Sequence, residues 1–145
     1  MALAKPKPIT PERLKVYNRN IIAFLEEQYI LPETGKLIVL EHWQKLLLTR
    51  MFMDYGQDMS TPEPWNDLSM ALASLKAKPR YYSMAVLGMP KKNGKSALAS
   101  GIGLWFAFAG ESHGEIIIAA NNLDQASLII YMKIRDAIRM NPNLR

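Results

Sequence analysis

Apolar residues open the chain at the three-to-four-residue spacing of an amphipathic helix. Leu14, Tyr17, Ile21, Phe24 and Leu25 keep that spacing, which predicts helix to about Tyr29. Thr10, Pro11 and Glu12 supply an N-cap, a first-turn proline and a first-turn acid ahead of it. Residues 1–9, polar and interrupted by proline, read as a leader that is disordered or held by a partner. Leu31-Pro-Glu-Thr-Gly35 reads as a turn. Trp43, Leu46, Leu47 and Met51 then predict a second helix over Leu40–Met53, ended by Tyr55-Gly56. Ser60–Pro79 holds three prolines and one short helix candidate, Leu68–Leu75.

From Met84 the pattern changes. Met84–Leu87 is a short apolar run of strand type, Gly88 and Pro90 turn the chain, and Ala97–Ala109 reads as a helix with Gly110 as its C-cap. Gly114 precedes a second predicted strand, Glu115–Ala120, which ends at Asn121-Asn122. Ala126, Ile129, Ile130, Ile134, Ala137 and Ile138 share one face of a closing helix that Pro142 stops. Strand, helix, strand, helix in that order predicts an α/β fold. It is the opening of a parallel sheet with right-handed crossovers, over residues 80–145, preceded by an N-terminal helical segment over 1–79. Two strands cannot make a stable core sheet, and strands this apolar should be covered on both faces. The sheet is therefore expected to be incomplete, with an open edge that favours aggregation or partner dependence. Gly101 and Gly103 cost helix stability and are expected to serve close helix–sheet packing.

The loop between strand and helix carries the chemistry. Pro90-Lys-Lys-Asn-Gly-Lys-Ser96 closes on Gly94-Lys95-Ser96, the arrangement in which loop and helix-end N–H groups cradle phosphate. In that reading Lys95 reaches the β- and γ-phosphates and the Ser96 hydroxyl holds Mg²⁺. The usual first glycine would fall at 89, which is Met, while Gly88 lies one residue early. The plain alternative is an ordinary loop capped by Ser96. Charge favours the phosphate reading. Leu68–Gly110 contains no Asp or Glu but holds Lys76, Lys78, Arg80, Lys91, Lys92 and Lys95. Setting those six aside leaves 12 basic residues against 13 acids, so the net charge of +5 is concentrated around the loop.

The whole chain narrows the class further. Its 145 residues make one domain's worth of core, and 49% apolar with 21% charged residues is ordinary for a globular protein. No apolar run approaches the ~20 residues of a membrane span, and the N-terminus lacks the apolar stretch of a signal peptide. The absence of cysteine excludes disulfides and thiolate metal sites, and a cytoplasmic location is expected. His42 and His113 have no partners at metal-ligand spacing, and the nine methionines read as core filler.

Trp43-Gln44 admits two readings. A side-chain amide both donates and accepts, so it suits the edge of an adenine base; otherwise the pair is a core Trp beside an exposed Gln. Three segments taken together resemble the large terminase subunit of tailed bacteriophages, the ATPase that packages DNA into proheads. They are Leu40-Glu-His-Trp-Gln-Lys-Leu-Leu-Leu48, Arg80-Tyr-Tyr followed by Pro90–Ser96, and Ile117-Ile-Ala-Ala-Asn-Asn-Leu-Asp-Gln-Ala-Ser127. The likeness runs from about Leu37 to Arg145. It implies a P-loop NTPase fold of the RecA-like kind, with ATP and Mg²⁺ as cofactors. The resembling family has a deviant Walker A with no first glycine and a basic residue early in the loop. That pattern accounts for Met89 and makes Lys91, with Lys95, a catalytic candidate acting on the γ-phosphate. A lysine there lacks the guanidinium fork of an arginine. The implied nucleotide contacts are Trp43, Gln44, Pro90, Lys91, Lys92, Asn93, Gly94, Lys95 and Ser96, with Ser96 also on Mg²⁺.

The resemblance also implies partners: double-stranded DNA, a small terminase subunit, a portal protein and further copies in a ring, in the cytoplasm of a bacterial host. The sequence departs from the family after Ser96, where the only acids are Glu111, Glu115, Asp124 and Asp136 and none ends an apolar strand. No Walker B pair completes the metal site or polarises water, and no coupling motif or nuclease carboxylates follow. The chain is thus expected to be the N-terminal part of such a motor, from a phage or prophage. A fragment of another P-loop ATPase such as a helicase, and a non-catalytic interaction module, are the alternatives.

Overall fold

A computed structural model describes residues 5–52, 84–90, 92–109, 115–119 and 126–145, the side chains of Arg50 and of 126–128 aside. Helix α1 (Pro11–Tyr17) begins at Thr10, whose hydroxyl accepts from Arg13 N–H at 3.2 Å. The expected single helix to Tyr29 is two. Asn18-Arg-Asn20 breaks it, and Asn20 Oδ1 accepts from Ala23 N–H at 3.0 Å to start α2 (Ile21–Gln28). Asparagine offers the backbone a local alternative to the helical ladder, so the apolar period continues while the axis does not.

Strands β1 (Ile30–Leu31) and β2 (Lys36–Leu37) pair antiparallel around the expected turn. Gly35 closes it at φ +66°, in the left-handed region that suits glycine. Helix α3 (His42–Phe52) lies within the predicted second helix. The predicted helix Leu68–Leu75 and the stops at Tyr55-Gly56 and Gly110 fall outside the described residues. Helix α4 (Lys95–Ala109) follows the loop. A π-helical turn, Ala126–Tyr131, runs into α5 (Met132–Met140), which ends at Asn141 before Pro142.

Two sequence expectations change here. The predicted strands are unpaired: 84–90 and 115–119 are neither helix nor ladder, and β1–β2 is the sheet found among the described residues. Met84, Val86 and Ile117 are 79%, 90% and 80% exposed, because no described strand lies beside them to take their backbone groups or cover their faces. The closing helix also lacks the single apolar face expected of it. Ala137 is buried and Ile134 and Ile138 pack on the core, but Ile129 is exposed. The wider π turn rotates the earlier residues off that face.

The core joins both halves of the chain: Tyr17, Ile21, Phe24, Leu25, Tyr29 and Leu48 pack with Leu98, Leu104, Trp105, Ala137 and Leu144. The two helix glycines allow close helix–helix packing instead of the expected helix–sheet packing. A Cβ on Gly101 would come within 2.8 Å of Leu25 Cδ2, and one on Gly103 within 2.9 Å of Ile134 Cδ1. Helix α4 is thereby pressed against α2 on one side and α5 on the other.

A polar network ties the ends together. Glu27 accepts from Lys7 Nζ at 2.9 Å, Arg13 Nε at 2.7 Å and Tyr17 Oη at 2.8 Å. Gln28 Nε2 donates to Tyr17 Oη at 2.9 Å and to the Lys7 carbonyl at 2.7 Å, and the Gln28 carbonyl accepts from Asn141 Nδ2 at 2.6 Å. The leader that composition marks as loose is therefore held, from Lys7 onward, by the chain's own core.

Candidate functional site

The loop enters α4 through backbone that few residues adopt. Gly94 has φ +75° and Lys92 φ +68°. A lysine in the left-handed region costs about 1–2 kcal/mol, and such positions concentrate at ligand-binding turns. The first helical hydrogen bond runs from Leu98 N–H to the Gly94 carbonyl at 2.9 Å. The amides of Lys95, Ser96 and Ala97 thus have no partner within the helix, and its positive dipole end faces the loop. Lys95 folds back and donates from Nζ to the Met89 carbonyl. The position that departs from the usual glycine therefore serves the lysine through its backbone, which any residue supplies.

Gln44 arrives at the same place from α3. It is 7% exposed, while Trp43 is 39% exposed. The bland reading of that pair, a core Trp beside an exposed Gln, is reversed. Gln44 Oε1 accepts from Glu41 N–H at 2.8 Å, as the third residue of a helix does when it reaches back to its start. Its Nε2 is turned to the loop, 3.6 Å from where a Cβ on Gly94 would stand. Burial of Gln44 therefore has a structural cause: the oxygen holds α3 while the nitrogen faces the loop at Gly94.

Two clefts meet there. An open groove of about 930 Å³ is lined by Trp43, Gln44, Leu46 and Leu47 of α3 and by Leu87 and Met89, together with Glu41, Lys92, Asn93 and Gly94. A smaller cavity of about 330 Å³ is lined by Lys92, Gly94, Lys95, Ser96 and Ala97, together with Glu33 and Lys133. Lys92, Gly94 and Ala97 belong to both. An apolar, aromatic compartment with an amide donor thus adjoins a cationic one at a helix N-terminus. Of the residues singled out in sequence, Trp43, Gln44, Lys92, Asn93, Gly94, Lys95 and Ser96 come together. Pro90 is exposed and lines neither cleft, and Lys91 lies outside the described residues.

Among the described residues no group of three or more His, Cys, Asp or Glu could hold a metal by itself. Ser96 lines the smaller cleft and could offer a single oxygen to an ion that keeps most of its waters.

Sequence reasoning missed Glu33 and Lys133. They are 100 residues apart and meet as an ion pair at the rim of the smaller cleft. In one dimension Glu33 is a turn residue and Lys133 one of several bases on α5, so neither carried a signal. Comparison with known proteins finds no family model that matches this chain, no similar curated protein and no similar solved structure. Among the described residues no helix is long and apolar enough to cross a membrane.

Proposed function

We propose that this chain is a nucleotide-binding unit, the N-terminal part of a phage large terminase subunit whose intact motor uses ATP to package double-stranded DNA. One juxtaposition carries the reading: Gln44 of α3, about fifty residues upstream, stands against Gly94 where an apolar groove meets a lysine-lined cavity. The groove suits a base, stacked on Trp43 and hydrogen-bonded by the Gln44 amide. The cavity suits the phosphates, met by the α4 amides, Lys92 and Lys95, with Mg²⁺ at Ser96. Lys95 exchanges the Met89 carbonyl for a phosphate oxygen on binding, a charge-assisted bond in place of a neutral acceptor. In this reading Lys91 acts on the γ-phosphate, and DNA, the small subunit, the portal protein and the ring of copies belong to the intact motor.

The parallel P-loop sheet belongs to the same proposal. It would form when further strands pair with 84–87 and 115–120. Without a carboxylate pair to polarise water, this chain binds nucleotide and hydrolyses little. The test is binding of a fluorescent ATP analogue with Mg²⁺, with phosphate release followed in parallel. Wild type binds in the micromolar range or weaker; Lys95→Ala loses at least tenfold, and Gln44→Ala loses several-fold for ATP but not for tripolyphosphate. Binding by folded protein that ignores Lys95 would sink the reading and leave a non-catalytic interaction module.

A further inference from the structure

The smaller cleft contains more cation than the loop supplies. Lys133, the second residue of α5, also lines it, so three ammonium groups and one carboxylate line a space of about 330 Å³. Lys133 is not a loosely attached surface lysine. Its neighbour Ile134 is wedged against Gly103 of α4, and the end of α5 is pinned where Asn141 donates to Gln28. Its side chain is 21% exposed, and its ion-pair partner Glu33, in the β1–β2 turn, is 51% exposed.

The asymmetry between the partners decides what an incoming anion does. A carboxylate half in water is rehydrated at little cost when it loses its partner, whereas an ammonium group this enclosed needs an anion. A di- or triphosphate brings several negative charges against one on Glu33, into a space already lined by Lys92 and Lys95. The Coulomb preference of Lys133 then lies with the phosphate.

We infer that Lys133 is a further phosphate-binding lysine of this site and that Glu33 is its resident counter-ion, displaced when polyphosphate binds. The inference rests on the nucleotide reading above. It adds a consequence: nucleotide binding breaks the Glu33–Lys133 ion pair between the β1–β2 turn and α5, while the packing of Gly35 beside Met140 is kept.

The test is Mg²⁺–ATP and Mg²⁺–ADP binding to the full chain as wild type, Lys95→Ala, Lys133→Ala, Glu33→Gln and the Glu33→Gln/Lys133→Ala double variant. Circular dichroism confirms that each is folded. Lys133→Ala is expected to weaken ATP binding about tenfold, the size of one charge-assisted contact. Glu33→Gln, which removes the competitor and a negative charge lining the cleft, is expected to tighten it about threefold. Lys133→Ala is expected to cost about tenfold in the Glu33→Gln background too, where no freed carboxylate repels phosphate. Should Lys133→Ala fail to fold, Lys133→Gln, which keeps the length of the side chain and loses its charge, takes its place. Loss of binding in Lys95→Ala with Lys133→Ala and Glu33→Gln both like wild type would overturn this inference and leave the nucleotide site standing. Absence of Lys95-dependent binding would overturn both.

Discussion

The two ends of the chain and its middle handle the same kinds of residue in opposite ways. Between residues 5 and 52, and again from 132 to 145, a core of apolar side chains is enclosed and a polar network is buried beside it, although Val39 stands exposed: Phe24, Leu25 and Tyr29 are at most 1% exposed, and Gln28 and Asn141 bond each other. In 84–90 and 115–119, residues just as apolar stand in the open. Composition does not separate the regions; partners do. A helix satisfies its own backbone and needs only one covered face, whereas a strand needs neighbours for its backbone before its side chains are of use. The α4 helix spans the boundary. Its body is packed through Gly101 and Gly103 into the closed region, and its N-terminus is presented to the open one.

That contrast predicts a steep gradient of mutational cost. Leu25→Ala, at a fully buried position against Gly101, should destabilise by about 2–5 kcal/mol in denaturant titration. A cost below about 1 kcal/mol there would mean that the closed region is not the stabilising unit. Asn141→Ala comes next, at about 2 kcal/mol. It removes bonds to the Gln28 carbonyl and Oε1 in a site with no exposed surface, and Asn141→Asp, which keeps the shape but loses the donor, should cost at least as much.

Acid should act through the same network. Burial pushes the Glu27 carboxyl up, but hydrogen bonds from Arg13, Lys7 and Tyr17 together outweigh it and hold it below its ordinary 4.5. Its contribution is therefore fully present above pH 4.5 and lost as pH falls through the lowered value. Thermal melts from pH 7 to 3 should show a drop below pH 4.5 that Glu27→Gln makes smaller. A variant that melts in parallel with wild type at every pH would remove Glu27 from the account. The smallest effects belong to the open region: Val86→Ala and Ile117→Ala should each change stability by less than about 0.5 kcal/mol. A large cost at either would show that these segments are covered in solution, and would bring the regions together.

Part of this molecule was legible without coordinates. Thr10-Pro11-Glu12 marked the start of α1, Leu31–Gly35 the turn (Leu31 itself closing β1), Leu40–Met53 the position of α3 and Gly94-Lys95-Ser96 the entry to α4. Each is a local matter of caps, turn chemistry and period. The break at Asn18–Asn20 was also local, and the asparagines were its signal, but an unbroken apolar period hid it. The π turn after residue 126 had no comparable mark.

For the site, the sequence determined which residue types were available: a glycine able to take φ +75°, a lysine after it, a serine at the helix start and an upstream Trp-Gln pair. Those follow from local backbone sterics and side-chain chemistry. Only the tertiary structure decided that Gln44 is buried against Gly94 while Trp43 is left half open, and that Lys133 and Glu33 line the smaller cleft. It also decided that 84–90 and 115–119 remain unpaired among the described residues. The reason is the same in each case. A contact between residues 50 or 100 positions apart depends on how helices pack, which here turns on two glycines admitting Leu25 and Ile134, and a strand exists only beside another strand.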